Sequence, residues 1–257
     1  MLLDLLKTRI KQKYRTMSWP EGPLPALPER FAGRPVITGK CADGCHECVA
    51  ACPTHAVSMT KNDASCFGPF IDTGKCLFCH TCESACPSNV IHFSDEHRLA
   101  ALTRDDLVVS RDSLQIPIAL LEKARSMFGR SLKLREVSAG GCNACEADSN
   151  VLTTIGWDLG RFGIQFVASP RHADGLFITG PVTKNMETAL LKTYAAVPEP
   201  KIVIATGSCA ISGGPFTFNP EQCQGAATLI PVDLFIPGCP PHPLTILDGL
   251  LRFIGRI

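Results

Sequence analysis

Two cysteine blocks, each ending in Cys-Pro, constrain this chain more than any other feature of its sequence. The first block reads KCADGCHECVAACP and the second reads KCLFCHTCESACP. Together they supply Cys41, Cys45, Cys48, Cys52, Cys76, Cys79, Cys82 and Cys86. These spacings are typical of thiolate ligands, so residues 37–98 are expected to fold around metal rather than around a large apolar core.

The second block has the spacing C-x2-C-x2-C-x3-C-P of bacterial two-cluster ferredoxins. In that arrangement three close thiolates bind one cubane, the fourth binds the other, and the proline turns the chain away. We therefore predict two [4Fe–4S] clusters that exchange their fourth ligands. Cluster A takes Cys41, Cys45, Cys48 and Cys86. Cluster B takes Cys76, Cys79, Cys82 and Cys52.

The first block departs from this pattern by one residue, since three residues separate Cys41 from Cys45. We expect Asp43-Gly44 to absorb the insertion as a turn, because glycine tolerates positive φ. Zinc is the competing metal, but its sites favour paired C-x2-C units over two triplets with a distant Cys-Pro.

From residue 131 onward, short apolar runs alternate with helical stretches. The predicted strands are LKLREV, GIQFVAS, GLFITG, KIVIATG and LIPVDLFIPG, and VTKNMETALLKTYAAV is a predicted helix. This alternation predicts an α/β domain with a parallel sheet covered on both faces.

A second group of cysteines follows these predicted strands: Cys142, Cys145, Cys209 and Cys239. Because the carboxyl ends of parallel strands share one edge of the sheet, these four thiols are expected to converge on a third [4Fe–4S] cluster. Neighbouring glycines would allow close backbone approach and N–H donation to sulfur. They are Gly140, Gly141, Gly207, Gly213, Gly214 and Gly238. The same type of sheet carries FMN in other proteins, but no convincing phosphate loop is present, so no flavin is expected.

Composition excludes several classes of protein. The fourteen cysteines do not suggest a disulfide framework, which is typical of short secreted domains. A net charge of +1 gives no sign of nucleic-acid binding. No run of 18 apolar residues is present to span a membrane, and Asp4 interrupts any signal-like segment. A reducing compartment, most simply the cytoplasm, is therefore expected.

The remaining segments complete a division into residues 1–36, 37–98, 99–130 and 131–257. Residues 1–15 form a predicted helix with an apolar stripe and five basic residues, suited either to a membrane surface or to packing on protein. Residues 18–36 are rich in proline and predict an extended strap. Residues 99–130 are a predicted linker ending in the helix LLEKARSMFGR.

The ferredoxin-type segment and the preceding strap, WPEGPLPALPERFAGRP, resemble the ferredoxin-like subunit of respiratory complex I and related membrane-bound hydrogenases. In that family an N-terminal amphipathic helix lies along the membrane, and the resemblance implies the same position for residues 1–15.

The C-terminal half resembles the small subunit of membrane-bound, energy-converting [NiFe] hydrogenases and the homologous complex I subunit. The resemblance rests on GRSLKLREVSAGGCNACE, RFGIQFVASPRHADGLFITGPVT, PKIVIATGSCAISGG and IPVDLFIPGCPPHP. It implies that the four cysteines hold the proximal cluster beside the active site of a separate large subunit. Cys142-Asn-Ala-Cys145 is similar to the hydrogenase branch, since the complex I subunit has adjacent cysteines there.

The resemblance implies a flavodoxin-like domain preceded by a small α+β two-[4Fe–4S] ferredoxin domain. It implies an electron-transfer subunit on the cytoplasmic side of the cell membrane, with no catalytic residue of its own. Expected partners are a [NiFe]-hydrogenase-like large subunit, membrane-arm subunits, and an electron-donor subunit or soluble ferredoxin. A nickel-free complex I-like oxidoreductase acting on quinone or another acceptor, and a stand-alone electron carrier, remain alternatives.

Other residues carry paired hypotheses. Glu146 would relay protons or contact the large subunit, or else be a solvated or capping carboxylate. Arg171 and His172 would tune the cluster or face the partner, or else shape a loop with an Asp174 turn. His242 would donate to a cluster sulfur. Cys66 and Cys223 exceed the twelve ligands and are expected to be inert core thiols.

Overall fold

The computed structural model describes residues 2–62, 66–111, 128 and 131–257, without the side chains of residues 60–62, 66 and 67. The predicted helix LLEKARSMFGR lies almost wholly outside the described residues. Within the described part of the chain, no helix is long and apolar enough to cross a membrane.

The N-terminal segment is a helix followed by an extended strap. Helix α1, Leu2–Gln12, buries none of its residues against the rest of the chain. The strap is anchored at Met17, whose N–H donates to the Gly156 carbonyl at 2.9 Å, and by the buried Trp19 ring. Farther along, the N–H of Arg34 donates to the Glu96 carbonyl at 2.9 Å. The strap therefore contacts both halves of the molecule.

The ferredoxin-like domain repeats one strand-helix-strand unit. In chain order its elements are β1 (Pro35–Ile37), α2 (Glu47–Ala51), β2 (Val57–Asn62), β3 (Cys66–Asp72), α3 (Thr81–Ser84) and β4 (Ile91–Phe93). Strand β1 pairs with β4 and β2 pairs with β3, both antiparallel. The first strand thus pairs with the last, and each helix lies inside a cysteine block, just before its Cys-Pro.

Residues following β4 join the two domains. Strand β5 (Val108–Val109) pairs with β3, whereas Ala101 forms an antiparallel bridge to Phe235 of the second domain. Ala100, Ala101 and Leu107 are buried. The described part of the predicted linker is therefore packed against both domains.

The second domain is the predicted α/β unit. Its strands are β6 (Leu132–Ser138), β7 (Ile164–Phe166), β8 (Gly175–Thr179), β9 (Ile202–Thr206) and β10 (Leu234–Ile236). They form one parallel sheet in the order β10-β9-β8-β6-β7. Counted within the domain this is the flavodoxin-like order 2-1-3-4-5. The fold-class prediction is confirmed.

Helices cover both faces of this sheet. They are α4 (Ala144–Val151), α5 (Lys184–Ala196), α6 (Ser208–Ser212) and α7 (Pro243–Phe253). One apolar cluster joins α7 to one face of the sheet, and a second joins Leu190 of α5 and Ile211 of α6 to the other face. Strands β8 and β9 are buried at every position, which explains their continuous apolar sequences.

The last strand is shorter than the predicted run LIPVDLFIPG. Pro231 lacks an N–H for the ladder, and the Asp233 carboxylate accepts the N–H of Val203 at 2.8 Å just before the strand begins. Pairing with β9 therefore starts at Leu234.

Candidate metal centres

The first thiol set combines cysteines from both blocks. Cys41 and Cys45 precede α2, Cys48 lies inside it, and Cys86 follows α3. Burial, followed by neighbouring thiols, raises the pKa of Cys48 to about 11. Those neighbours are Cys41, Cys86 and Cys45. The structure thus places the predicted fourth residue, Cys86, beside the first block.

The insertion between Cys41 and Cys45 forms the predicted turn. The N–H of Cys45 donates to the Ala42 carbonyl at 3.1 Å, and Gly44 has φ +73°. Both partly exposed thiols, Cys41 and Cys45, remain beside Cys48.

The second thiol set shows the reciprocal exchange. Burial raises the pKa of Cys76 to about 12, with nearby Cys82, Cys52 and Cys79 adding to the shift. Burial also raises the pKa of Cys82 to about 11, with Cys52 as its next cause. Cys52 of the first block therefore lies with the second, as the exchanged pattern predicts.

Backbone N–H groups point at the sulfurs of both exchanged cysteines. Ala56 N–H donates to Cys52 Sγ at 3.2 Å, and Val90 N–H donates to Cys86 Sγ at 3.3 Å. Each donor is four residues past its cysteine and follows a residue in the left-handed region, at φ 50° and 49°. Such donors favour the thiolate over the thiol, and they occur at equivalent positions of the two halves.

The third thiol set lies at the carboxyl edge of the parallel sheet. Cys142 and Cys145 follow β6, Cys209 lies in α6 after β9, and Cys239 follows β10. Burial, followed by the thiol of Cys239, raises the pKa of Cys209 to about 12. The pKa of Cys145 is raised mainly by burial, and then by Cys209. All four predicted residues are brought together.

Glycines leave room for this third set. A Cβ on Gly207, at φ +88°, would lie 2.5 Å from Cys145 Sγ, and one on Gly214 would lie 2.9 Å from Cys209 Sγ. Gly180, which the sequence analysis did not single out, approaches Gly141 so closely that its Cβ would lie 2.5 Å from the Gly141 nitrogen. These two glycines lie in the loops after β8 and β6, where the strand order reverses. The sequence feature that could have indicated Gly180 is Gly-Pro directly after the buried strand that ends at Thr179.

The three thiol sets follow one another in space. The thiol of Cys48 contributes to the raised pKa of Cys82, after burial and nearer thiols, which links the first set to the second. Cys79 contributes to the raised pKa of Cys239, after burial and Cys142, which links the second set to the third. The second set therefore lies between the other two.

This donor chemistry fits iron–sulfur clusters. Four thiols meet in each set, and backbone N–H groups donate to three sulfurs, including Cys76 Sγ, which accepts from Phe78 at 3.3 Å. Among the described residues, no three His, Cys, Asp or Glu side chains converge tightly enough for one metal ion. A cubane needs a wider cradle, because its four thiolates bind different corners.

Glu146, next to Cys145, is buried rather than solvated. Its carboxylate accepts hydrogen bonds from Ser138 Oγ and, at 2.7 Å, from Thr179 Oγ1. The solvated alternative is wrong because two hydroxyls replace water at this carboxylate.

Arg171 and His172 do not reach the cysteines. Both precede β8, whereas the cysteines follow the carboxyl ends of strands at the opposite edge. The hypothesis that they tune the cluster is wrong. The Asp174 carboxylate accepts the Lys133 N–H at 2.7 Å, which supports the structural alternative for this loop. That the two residues face the partner stays a prediction.

His242 caps a helix. Its Nδ1 accepts the N–H of Leu244 at 3.1 Å at the start of α7, and burial lowers its pKa. Donation from its other nitrogen to a cluster stays a prediction. Cys223 is a buried core thiol as expected, with Sγ 3.6 Å from a Glu187 carboxylate oxygen, while the Cys66 side chain lies outside the described residues.

Comparisons with known proteins match both parts of the chain. Residues 142–253 match the family of the NADH ubiquinone oxidoreductase 20 kDa subunit, and residues 40–90 match the 4Fe-4S dicluster domain. The probable membrane-bound hydrogenase subunit mbhJ of Pyrococcus furiosus is 42% identical over 147 residues, which cover 57% of this chain and 86% of that protein.

Two further relatives are matched over a smaller share of their length. Formate hydrogenlyase subunit 7 of Escherichia coli is 38% identical over 153 residues, or 59% of this chain and 58% of that protein. An NADH-quinone oxidoreductase subunit of Carboxydothermus hydrogenoformans is 48% identical over 102 residues, or 39% of this chain and 61% of that protein. The chain spans less than two thirds of either.

Proposed function

This chain belongs to the NADH ubiquinone oxidoreductase 20 kDa subunit family, and on that premise we propose that it relays electrons through three [4Fe–4S] clusters in a membrane-associated complex of the [NiFe]-hydrogenase type. Residues 37–98 hold clusters A and B, and residues 131–257 hold the proximal cluster. The ligands are the twelve cysteines of the three thiol sets. No flavin takes part, and bond-making occurs in a partner subunit.

The observation that carries this proposal is the order of the thiol sets. Cys48 contributes to the raised pKa of Cys82 and Cys79 to that of Cys239, and Ser208, next to Cys209, lies 2.6 Å from the Cys76 carbonyl oxygen. This order, A then B then the proximal cluster, is the one that an electron relay needs. When bound, the clusters supply reversible one-electron transfer. The protein supplies their order, their separation and a largely buried setting for Cys48, Cys76, Cys82, Cys86 and Cys209.

The residues around the thiols set the electrostatic environment. Backbone N–H groups at Cys52, Cys76 and Cys86 stabilise negative charge on sulfur, which favours the reduced state and the bound thiolate. Burial acts in the opposite direction, because it penalises net charge. The balance between these two effects differs from site to site and would give the three clusters different reduction potentials.

Exposed residues indicate where partners bind. Cys142 and Cys239 are exposed at the sheet edge, where a hydrogenase-like large subunit would cover the proximal cluster. Helix α1 exposes Leu2, Leu6 and Ile10 beside several basic residues, which suits contact with an anionic membrane surface or with membrane-arm subunits. We therefore place the chain peripherally on the cytoplasmic side of the cell membrane. A soluble ferredoxin or a donor subunit would reach it near cluster A, where Cys41 and Cys45 are partly exposed.

Metal analysis of the native complex purified through this chain tests the proposal. We expect about twelve iron atoms from this chain, further iron from the partner, and about one nickel per copy. Iron near twelve without nickel would overturn the hydrogenase assignment in favour of the nickel-free complex I-like alternative, which the similarity to the NADH-quinone oxidoreductase subunit favours. A monomer carrying all its iron would instead identify a stand-alone carrier.

Two cysteine variants sharpen the ligand assignment. Cys239→Ser should remove about four iron atoms, the content of one cubane. Cys223→Ser is the matched control, because it changes a buried cysteine outside the three sets and should leave iron unchanged. Equal iron loss in both variants would contradict the assignment.

A further inference from the structure

Helix α6 joins the third thiol set to the ferredoxin-like domain. It carries Cys209 between Ser208 and Ser212, which are one helical turn apart and so share a face. Both serines are buried, with relative exposures of 1% and 9%. Their hydroxyls leave their own domain and reach the loop that precedes and includes Cys76.

The two hydroxyls donate to alternate carbonyls of that loop. Ser208 Oγ lies 2.6 Å from the Cys76 carbonyl oxygen and 3.1 Å from that of Gly238. Since a hydroxyl has one proton, the shorter distance assigns the donated bond to Cys76. Ser212 Oγ lies 2.9 Å from the Gly74 carbonyl oxygen and 3.1 Å from that of Ser208 in its own helix, and the shorter distance again assigns the donated bond to the loop.

Asp72 and Arg104 also hold the loop in place. Asp72 accepts the Gly74 N–H at 3.0 Å and two bonds from the Arg104 guanidinium, at 2.7 and 2.6 Å. Gly74 leaves room for the Ile211 side chain of α6, because a Cβ on Gly74 would lie 2.8 Å from Ile211 Cγ2. Helix α6 therefore packs closely on the loop through this side chain as well as through its two serines.

We infer that Ser208 and Ser212 are positioning residues that fix the separation between cluster B and the proximal cluster. The inference rests on the proposed function. Ser208 is covalently adjacent to Cys209 and hydrogen-bonded to Cys76, so one side chain links a ligand of each site. Electron tunnelling falls steeply with distance, so a small shift of α6 away from the loop slows transfer between these two clusters.

Spin–spin interaction between the reduced clusters tests this inference in the full chain with its clusters. The double variant Ser208→Ala/Ser212→Ala should keep its iron and its number of unpaired spins. In electron paramagnetic resonance, the line splitting caused by spin–spin interaction between cluster B and the proximal cluster should decrease. Electron transfer to the proximal cluster should slow several-fold. Ser212→Thr retains the hydroxyl and should resemble wild type.

Thr228→Val is the matched control, because both hydrogen bonds that the Thr228 hydroxyl makes among the described residues stay within the α/β domain, to the Cys223 carbonyl at 2.7 Å and to that of Gly225. It should lose stability without altering the splitting. A double variant with full iron and unchanged splitting and rate would overturn the inference. If that variant loses iron, Ser212→Ala alone decides by the same measurements. Wild type with fewer than three clusters would overturn the proposed function itself.

Discussion

Replacing Gly207 by alanine should remove the proximal cluster while leaving the ferredoxin-like clusters in place. The new Cβ would lie 2.5 Å from Cys145 Sγ, well inside contact distance, and the residue has φ +88°. With ψ 152° the backbone of Gly207 lies in a region occupied essentially by glycine alone, which costs a residue with a Cβ about 1–3 kcal/mol. Overpacking in a closed site adds typically about 1–3 kcal/mol.

The sum, about 2–6 kcal/mol, is a large part of a domain stability of about 5–15 kcal/mol. The strain is relieved if Cys145 moves, and that movement takes a ligand from its site. We therefore expect iron to fall by about one third, from about twelve to about eight atoms per chain, with a lower midpoint of chemical unfolding.

Two glycine controls separate the contributions. A Cβ at Gly156 would meet nothing within 4 Å and its φ is not in the left-handed region, so Gly156→Ala should change neither iron nor stability. A Cβ at Gly39 would also meet nothing within 4 Å, but this residue has φ +69°. Gly39→Ala should therefore lower the free energy of unfolding only by the cost of placing a Cβ at positive φ, and should keep all its iron. Full iron in Gly207→Ala, with the stability of Gly156→Ala, would refute the reasoning.

Three further predictions concern a buried thiol, an ion pair and the strap. The iron-free chain should lose stability as pH rises from about 9 to about 12, because burial raises the pKa of Cys76 to about 12 and the same thiol ionises at lower pH in the unfolded chain. A denaturation midpoint that does not change between about pH 8 and 11 would contradict this. Arg104→Ala should destabilise the chain by about 2 kcal/mol, since it leaves the partly buried Asp72 carboxylate without its paired donor, as measured by denaturant unfolding. Arg161→Ala should loosen the start of the strap, because the guanidinium donates to the carbonyls of Met17 and Trp19 at 2.7 and 2.6 Å. An unshifted Trp19 emission, with the other tryptophan replaced by phenylalanine, would refute it.

The thiol sets could be predicted because sequence patterns indicate them. The ferredoxin spacing predicted the exchange of Cys52 and Cys86, and the third set followed from the position of Cys142, Cys209 and Cys239 after predicted strands. Parallel strands then bring distant loops to one edge without any need to know the tertiary packing. The insertion between Cys41 and Cys45 could be predicted to form a turn because it contains a glycine.

Contacts between the domains could not be predicted in this way. Ser208 and Ser212 bond to carbonyls more than 130 residues away, and a serine beside a cysteine carries no sign of such a partner. The sequence left open whether Arg171 and His172 tune the cluster, and only the direction of β8 shows that they lie at the opposite edge of the sheet. The surroundings of Glu146 depend on hydroxyls from β6 and β8, which only the folded sheet brings together.

The exchange of Cys52 and Cys86 has a consequence for biogenesis. If the two sets are the ligands proposed here, cluster B has its last ligand once the ribosome has made residue 82, cluster A waits for residue 86, and the third site waits for residue 239. A nascent chain shorter than this therefore presents only partial ferredoxin-type sites. These two sites are completed within four residues of each other, and a product truncated before residue 82 would complete neither.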